Sequence, residues 1–350
     1  MFVCLRLTSG LGGVSGVRLS YFVLFILMMS SSSGYIITNE TFEAGVTHVN
    51  SYPVIISDSY TSHEPIIISS NADFISQGWP GNGTEGNPYV IEGLSITNSS
   101  ACISISSTNV HFEVSNCLIY APSYSSSNGI ELSDVTNGTI KECIVYLHNN
   151  GISLTSCFSC ILVNNSATNN NNGFSVDNSF CTLIDNTATS CSESGFYIYY
   201  SDSCTLTHNT AIGNYYGFYL YFSSTSILTD NTASSNFYGF GIWYSSNSCN
   251  LTNNISNSNS NGLEIGYSSS CILMNNTFNI GGIVILGESI SQWLHEISGN
   301  MVNDKPLGYF KSISDTSING AQYGQVILAN CSNVTVSNGL FDHASAGVQL

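Results

Sequence analysis

Positive charge is what this chain has least of. Lys and Arg number 5 among 350 residues, against 22 Asp and Glu, and charged side chains make up only 8% of the total. A phosphate backbone is held through many cations, so nucleic acid is excluded as a partner. An anionic polysaccharide would need metal ions to bridge the charges. Long apolar runs are also missing. The uncharged stretch 19–29 is 11 residues long, short of the roughly 20 that a membrane helix needs. Methionine is scarce, with 5 copies and no Met-rich metal motif. No part of the repeated region carries the 3.6-residue apolar period, which excludes helical repeats. With so few charges, solubility rests on Ser, Asn, Thr and Tyr.

What the chain does have begins at its N-terminus. Arg6 and Arg18 precede the apolar run and Ser30–Gly34 follow it, the layout of a secretory signal. Residues 1–34 are therefore expected to be a signal peptide or anchor and the only membrane contact. The remainder is expected at the cell surface, outside the cell or in the periplasm.

The strongest feature is a repeat. Gly129, Gly151, Gly173, Gly195, Gly217, Gly239 and Gly262 are separated by 22, 22, 22, 22, 22 and 23 residues. A fixed period of this size signals a solenoid. Each Gly is followed by an apolar column (Ile130, Ile152, Phe174, Phe196, Phe218, Phe240, Leu263). Two residues on comes another (Leu132, Leu154, Val176, Ile198, Leu220, Ile242, Ile265). Apolar residues at i and i+2 describe a short strand with one buried face. A second strand carries Ile140, Leu162, Leu183, Leu206, Leu228, Leu251 and Leu273, and Ala167, Ala188, Ala211 and Ala233 mark a third. Three short strands per period predict an all-β fold, a parallel β-helix with one coil per repeat. Three residues after the second-strand column stands Asn165, Asn186, Asn209, Asn231, Asn254 or Asn276. Asn tolerates the left-handed region, and its amide can bond the next coil. The repeated Gly is expected to supply a turn that other residues resist.

Residues 35–100 do not follow the period and are expected to form an N-terminal cap with first strands, as a solenoid needs an atypical end unit. Coils are expected over 101–285, an irregular insertion over 286–325 and a further coil over 326–350. That last coil stops in mid-motif, so a C-terminal continuation or a partner is expected to cover the open end.

Cysteines follow the coil period and read as a ladder of small buried thiols. Disulfides between adjacent coils remain open in an exported protein. Cys157 and Cys160 form a CxxC, a candidate soft-metal site that lacks the second pair zinc requires. In the first strand, the second and fourth positions after Gly alternate with the buried pair and should face outward. There stand Tyr197, Tyr199, Tyr219, Tyr221 and Trp243, with Tyr216 and Tyr238 just before the Gly. Rings stacked at coil spacing would make a platform for sugar rings, with Glu193, Asp202 and Glu264 near enough to orient a glycan. The same rings would also serve as a purely structural cross-strand ladder. Just before the Asn column, Asp185, His208 and Asp230 fall on successive coils. They are candidates for a divalent ion or for acid–base chemistry, against a plain reading as a solvated turn column.

The Gly-[Ile/Phe]-x-[Leu/Ile] … Cys-x-Leu-x-x-Asn coils resemble the right-handed parallel β-helix repeats of the NosD-like group, within the wider class of carbohydrate-binding proteins and sugar hydrolases. Asn71-Ala-Asp-Phe, Gly81-Asn-Gly-Thr and Asn87-Pro-Tyr-Val-Ile-Glu-Gly resemble the N-terminal cap of large secreted archaeal members. The stretch from Asn303-Asp-Lys-Pro-Leu to Asn333-Val-Thr-Val resembles their inter-coil segment. The resemblance implies a right-handed helix and, for NosD, a periplasmic accessory role in copper-site maturation. No residue here matches a known copper ligand. Polygalacturonase signatures (Asp-Asp, Gly-His-Gly, Arg-Ile-Lys) are absent, and Lys141 is the sole non-histidine cation of the array, leaving little to act as a lyase base.

The reading is an exported binding or surface-structural module that recognises carbohydrate on its Tyr/Trp face, with a glycan or cell-surface component as partner and no required cofactor. The alternatives are a copper-related accessory protein, and a polysaccharide hydrolase or lyase using Asp185, Asp230 and His208.

Overall fold

The computed structural model of the chain describes Ile36–Ile37, Val54–Ile55 and residues 60–350. The expected signal, 1–34, lies outside the described residues. Two units separate at Ser59 and Tyr60. In the first, Ile36–Ile37 pairs antiparallel with Val54–Ile55. The second is a right-handed parallel β-solenoid of ~12 turns with ~22 residues per turn.

Three parallel sheets run the length of this solenoid. The first holds ten strands from Ile66–Ile68 to Ile283–Leu286, the second ten from Tyr89–Glu92 to Glu296–Ser298. The third holds fourteen, from Thr61–Ser62 to Val348–Gln349. Register keeps the apolar columns stacked: Phe174 pairs with Phe196, then Phe218, then Phe240. Their ring centroids are 4.8, 4.7 and 5.0 Å apart, the spacing of neighbouring strands. Coil pairing already begins at Thr61–Ser62 and Ile66–Ile68. Helix Asn71–Ser76 follows, and its buried Phe74 packs on Tyr89 and Phe112. In 286–325, Met301–Val302 turns antiparallel onto Lys305–Lys311 before parallel pairing resumes with Gln325–Ala329.

The repeated glycines have a different cause from the one expected. None of the seven has positive φ. Instead, a Cβ on Gly195 would lie 2.7 Å from the carbonyl oxygen of Gly217, and one on Gly217 would lie 2.5 Å from that of Gly239. Close coil packing, not turn geometry, demands glycine here. The Asn column is likewise not the left-handed seat. That seat is the residue before it: Asn164, Asp185, His208, Asp230, Asn253 and Asn275 all have φ between 53° and 57°.

The buried Asn residues form a polar ladder inside the core. Asn231 Oδ1 accepts from Asn209 N–H at 2.9 Å and from Asn209 Nδ2 at 3.1 Å. Asn231 Nδ2 donates to the Leu206 carbonyl at 2.8 Å and to Asn254 Oδ1 at 3.0 Å. A second Asn ladder (Asn214, Asn236, Asn259) and a serine ladder (Ser179, Ser201, Ser223, Ser246, Ser268) do the same at the other corners. Each corner thus satisfies backbone groups that the bend would otherwise orphan. At the far edge of the first sheet, Gln325 and Gln349 take the place of a further strand. Their amides each accept from and donate to the backbone of Ile283 and Ile285. The chain itself thereby satisfies part of the exposed edge of the first sheet.

Candidate aromatic site

The first sheet turns its apolar pairs inward and its intervening residues outward, as strand alternation requires. In Tyr216–Tyr221, Phe218 and Leu220 are buried while Tyr216, Tyr219 and Tyr221 are half-buried. All seven aromatic residues singled out from the sequence come together on this face. Tyr216 stacks on Tyr219 at 4.2 Å and on Tyr238 at 4.8 Å. Tyr197 stacks on Tyr219 at 5.6 Å, and Tyr199 meets Tyr221 at 5.8 Å. Trp243 lies flat because its neighbour has no side chain: a Cβ on Gly266 would fall 2.6 Å from its Cε3.

The face is larger than the alternation rule indicates. Five residues after each Gly the chain bends through the left-handed region. Two early coils use Asp134 and Asn178 there, with φ of 54° and 47°, residue types that tolerate that conformation. The next four use Tyr200, Phe222, Tyr244 and Tyr267, with φ of 46°, 52°, 47° and 52°. These rings continue the platform: Tyr200 to Phe222 is 5.0 Å and Tyr244 to Tyr267 is 5.3 Å. Tyr215 and Phe237, stacked at 5.1 Å, extend the opposite margin. An aromatic residue in this conformation is strained by about 1 kcal/mol or more relative to its usual regions. The period of the corner column was the signal that could have found these rings.

Burial acts on several of the phenols. Burial and the neighbouring Tyr199 and Tyr221 push Tyr197 up to about 12. Burial and adjacent phenols raise Tyr216 and Tyr219 further. Each therefore offers a hydroxyl that donates and accepts. The three acids expected nearby divide. Glu193 is exposed, and Asp202 is engaged by the Ser224 N–H at 2.6 Å. Glu264 is buried, with its carboxyl raised by desolvation.

The other candidates lie elsewhere. Asp185, His208 and Asp230 do stack, with His208 Nδ1 3.9 Å from Asp185 and Nε2 3.5 Å from Asp230. All three are solvent-exposed corner residues after the second sheet. Cys157 and Cys160 are fully buried. Hydrogen bonding to Cys160, with burial, raises the Cys157 thiol. Cys160 is lowered by Cys157 but raised more by Cys181 and burial, to about 12. Among the described residues, all other cysteines are free too.

Comparison with known proteins follows from this architecture. The family model described as periplasmic copper-binding protein (NosD) matches residues 68–251. No curated protein matches the chain. Among solved structures, the chain is similar to the pectate lyase Bsp165PelA from Bacillus sp. N165 in complex with trigalacturonate. That likeness has 13% identity and a TM-score of 0.42, over 63% of this chain and 82% of that one. It is also similar to the pectate lyase Pel9A, with 14% identity and a TM-score of 0.43, over 82% of this chain and 66% of that one. An alginate lyase from Paenibacillus sp. str. FPU-7 shows 8% identity and a TM-score of 0.40, over 82% of this chain and 99% of that one. Values this low do not bear on activity. Among the described residues, no group of three or more His, Cys, Asp or Glu stands close enough to hold a metal ion.

Proposed function

The chain belongs to the NosD family, and we propose that it is an exported β-helix module that binds a neutral glycan on the aromatic face of its first sheet. The observation that carries this reading is the run of Tyr200, Phe222, Tyr244 and Tyr267 in left-handed corner seats. Asp134 and Asn178 occupy the same corner with residue types that tolerate it. A stability argument alone would favour such residues, so the strained rings favour a binding role over a purely structural ladder. Neutral phenols and flat rings suit pyranose faces and hydroxyls. With a net charge of −17, an uncharged ligand is favoured over a uronate. The family description supports a periplasmic or extracellular setting.

A glycan array probed with the chain and its variants tests the reading. Tyr219→Ala and Trp243→Ala are each expected to weaken any hit tenfold or more and to lower Tm through the stacking each ring loses. Unchanged affinity in both would make the rings structural. Tyr200→Asn should separate the two roles. Strain relief and lost stacking are each on the order of 1 kcal/mol and oppose one another, so melting should stay put while binding weakens.

The metal-related reading rests on the family description. Stoichiometric Cu(I) capture that depends on Cys157 and Cys160 would support it.

A further inference from the structure

Glu131 and Glu264 stand in one outward column of the first sheet, separated by Ser153, Ser175, Tyr197, Tyr219 and Gly241. Their surroundings differ. Glu131 Oε1 accepts from Ser104 Oγ at 2.7 Å and Oε2 from Asn128 Nδ2 at 3.2 Å. Both of its oxygens are served from within the chain. Glu264 is more deeply placed, at 7% exposure, yet no described residue donates to it. Its neighbours in the column are Gly241 and Val284, which have no side-chain donor. Asn261, the counterpart of Asn128, does not reach it. The carboxylate oxygens keep the residual contact with solvent, since neither is among the fully enclosed unpaired atoms. Tyr238 pairs in register with Asn261, three residues before Glu264, and Tyr216 stacks on Tyr238 at 4.8 Å. Nearby, Trp243 Nε1 is buried without an acceptor, 3.5 Å from where a Cβ on Gly241 would sit.

With no donor from the chain, the Glu264 oxygens are served by solvent alone, and a ligand hydroxyl can take the place of such water. Glu131 shows that the same column provides donors where the fold alone is served. We infer that Glu264 is the polar anchor of the aromatic face, accepting hydrogen bonds from hydroxyls of a neutral sugar ring seated beside Tyr216 and Tyr238. This rests on the glycan reading above and assigns its specificity: hydroxyls are accepted, and a sugar carboxylate is repelled by like charge.

The test titrates the chain with neutral linear hexasaccharides (β-1,4-glucan, mannan and xylan) and with an oligogalacturonate, comparing wild type, Glu264→Gln, Glu131→Gln and Tyr219→Ala. Glu264→Gln is expected to weaken the best neutral probe tenfold or more and to melt no lower than wild type, since no hydrogen bond within the chain is lost. Glu131→Gln should leave affinity unchanged. The oligogalacturonate should bind wild type at least tenfold more weakly than the best neutral probe. Full affinity in Glu264→Gln, with affinity lost in Tyr219→Ala, overturns the anchor and leaves the face standing. A folded wild type that binds none of the neutral probes overturns both.

Discussion

Asn231→Leu should destabilise the solenoid by about 4 kcal/mol or more, the largest effect expected of any single substitution discussed. Its side chain makes four hydrogen bonds in a fully buried site. Leucine matches its size but leaves the Asn209 N–H and Nδ2, the Leu206 carbonyl and Asn254 Oδ1 each short of a bond. An unsatisfied buried group costs roughly 1–3 kcal/mol, and several are created at once. Leucine burial returns part of this, which keeps the figure near the lower end of the sum. Urea unfolding measures it. A loss under 1 kcal/mol would mean that water reaches the corner and the ladder is not the support described. Ser235→Ala, one corner away and exposed, serves as the control and should be nearly silent.

Acid should weaken the fold through two histidines. His148 and His295 are 0% and 1% exposed, and burial lowers each to about 4. His295 is neutral with a fixed tautomer: Nδ1 accepts from the Cys271 N–H at 3.2 Å, so Nε2 carries the proton toward the Gln292 carbonyl at 3.0 Å. Protonation would set two donors face to face. A folded value below the ordinary 6.5 means that the unfolded chain binds the proton first. Stability is therefore complete above 6.5 and falls as pH drops through 4, by on the order of 3 kcal/mol for each histidine. Glu264 and Asp177 act in the opposite sense, because burial raises their carboxyls. Their cost is present above the raised value and disappears on acidification. The comparison that isolates the histidine effect is wild type against His295→Gln from pH 7 to 4. The gap should narrow as pH falls, and a constant gap would contradict the assignment.

The coil was legible because its causes are local and periodic. Gly217, Phe218 and Leu220 recur in each repeat, and stacking them in register follows directly. What the residues do at corners was less legible. Alternation along a strand predicts Tyr219 and Tyr221 outward but ends where the strand ends, so Phe222 and Tyr244, turned by left-handed φ, escaped it. The same blind spot put the left-handed seat on Asn209 instead of His208. His148 resists reading for another reason. It stands at a ladder position, its N–H bonded to Asn170 Oδ1 at 2.9 Å, where other coils carry Asn. Only the fold tells that this histidine is enclosed. Glu264 is a fourth case, since its isolation depends on what Gly241 and Val284 fail to offer.

Hydroxyl-radical footprinting with and without saturating neutral hexasaccharide tests the central claim most directly. Tyr200, Phe222, Tyr244 and Tyr267 should be protected together, because one ligand lying along the first sheet covers successive coils. Phe158 and Phe180, stacked at 5.5 Å and 44% and 46% exposed at the second sheet, should stay reactive. Protection of that pair instead, or of neither group in the folded protein, would contradict the assignment of the aromatic face as a glycan site.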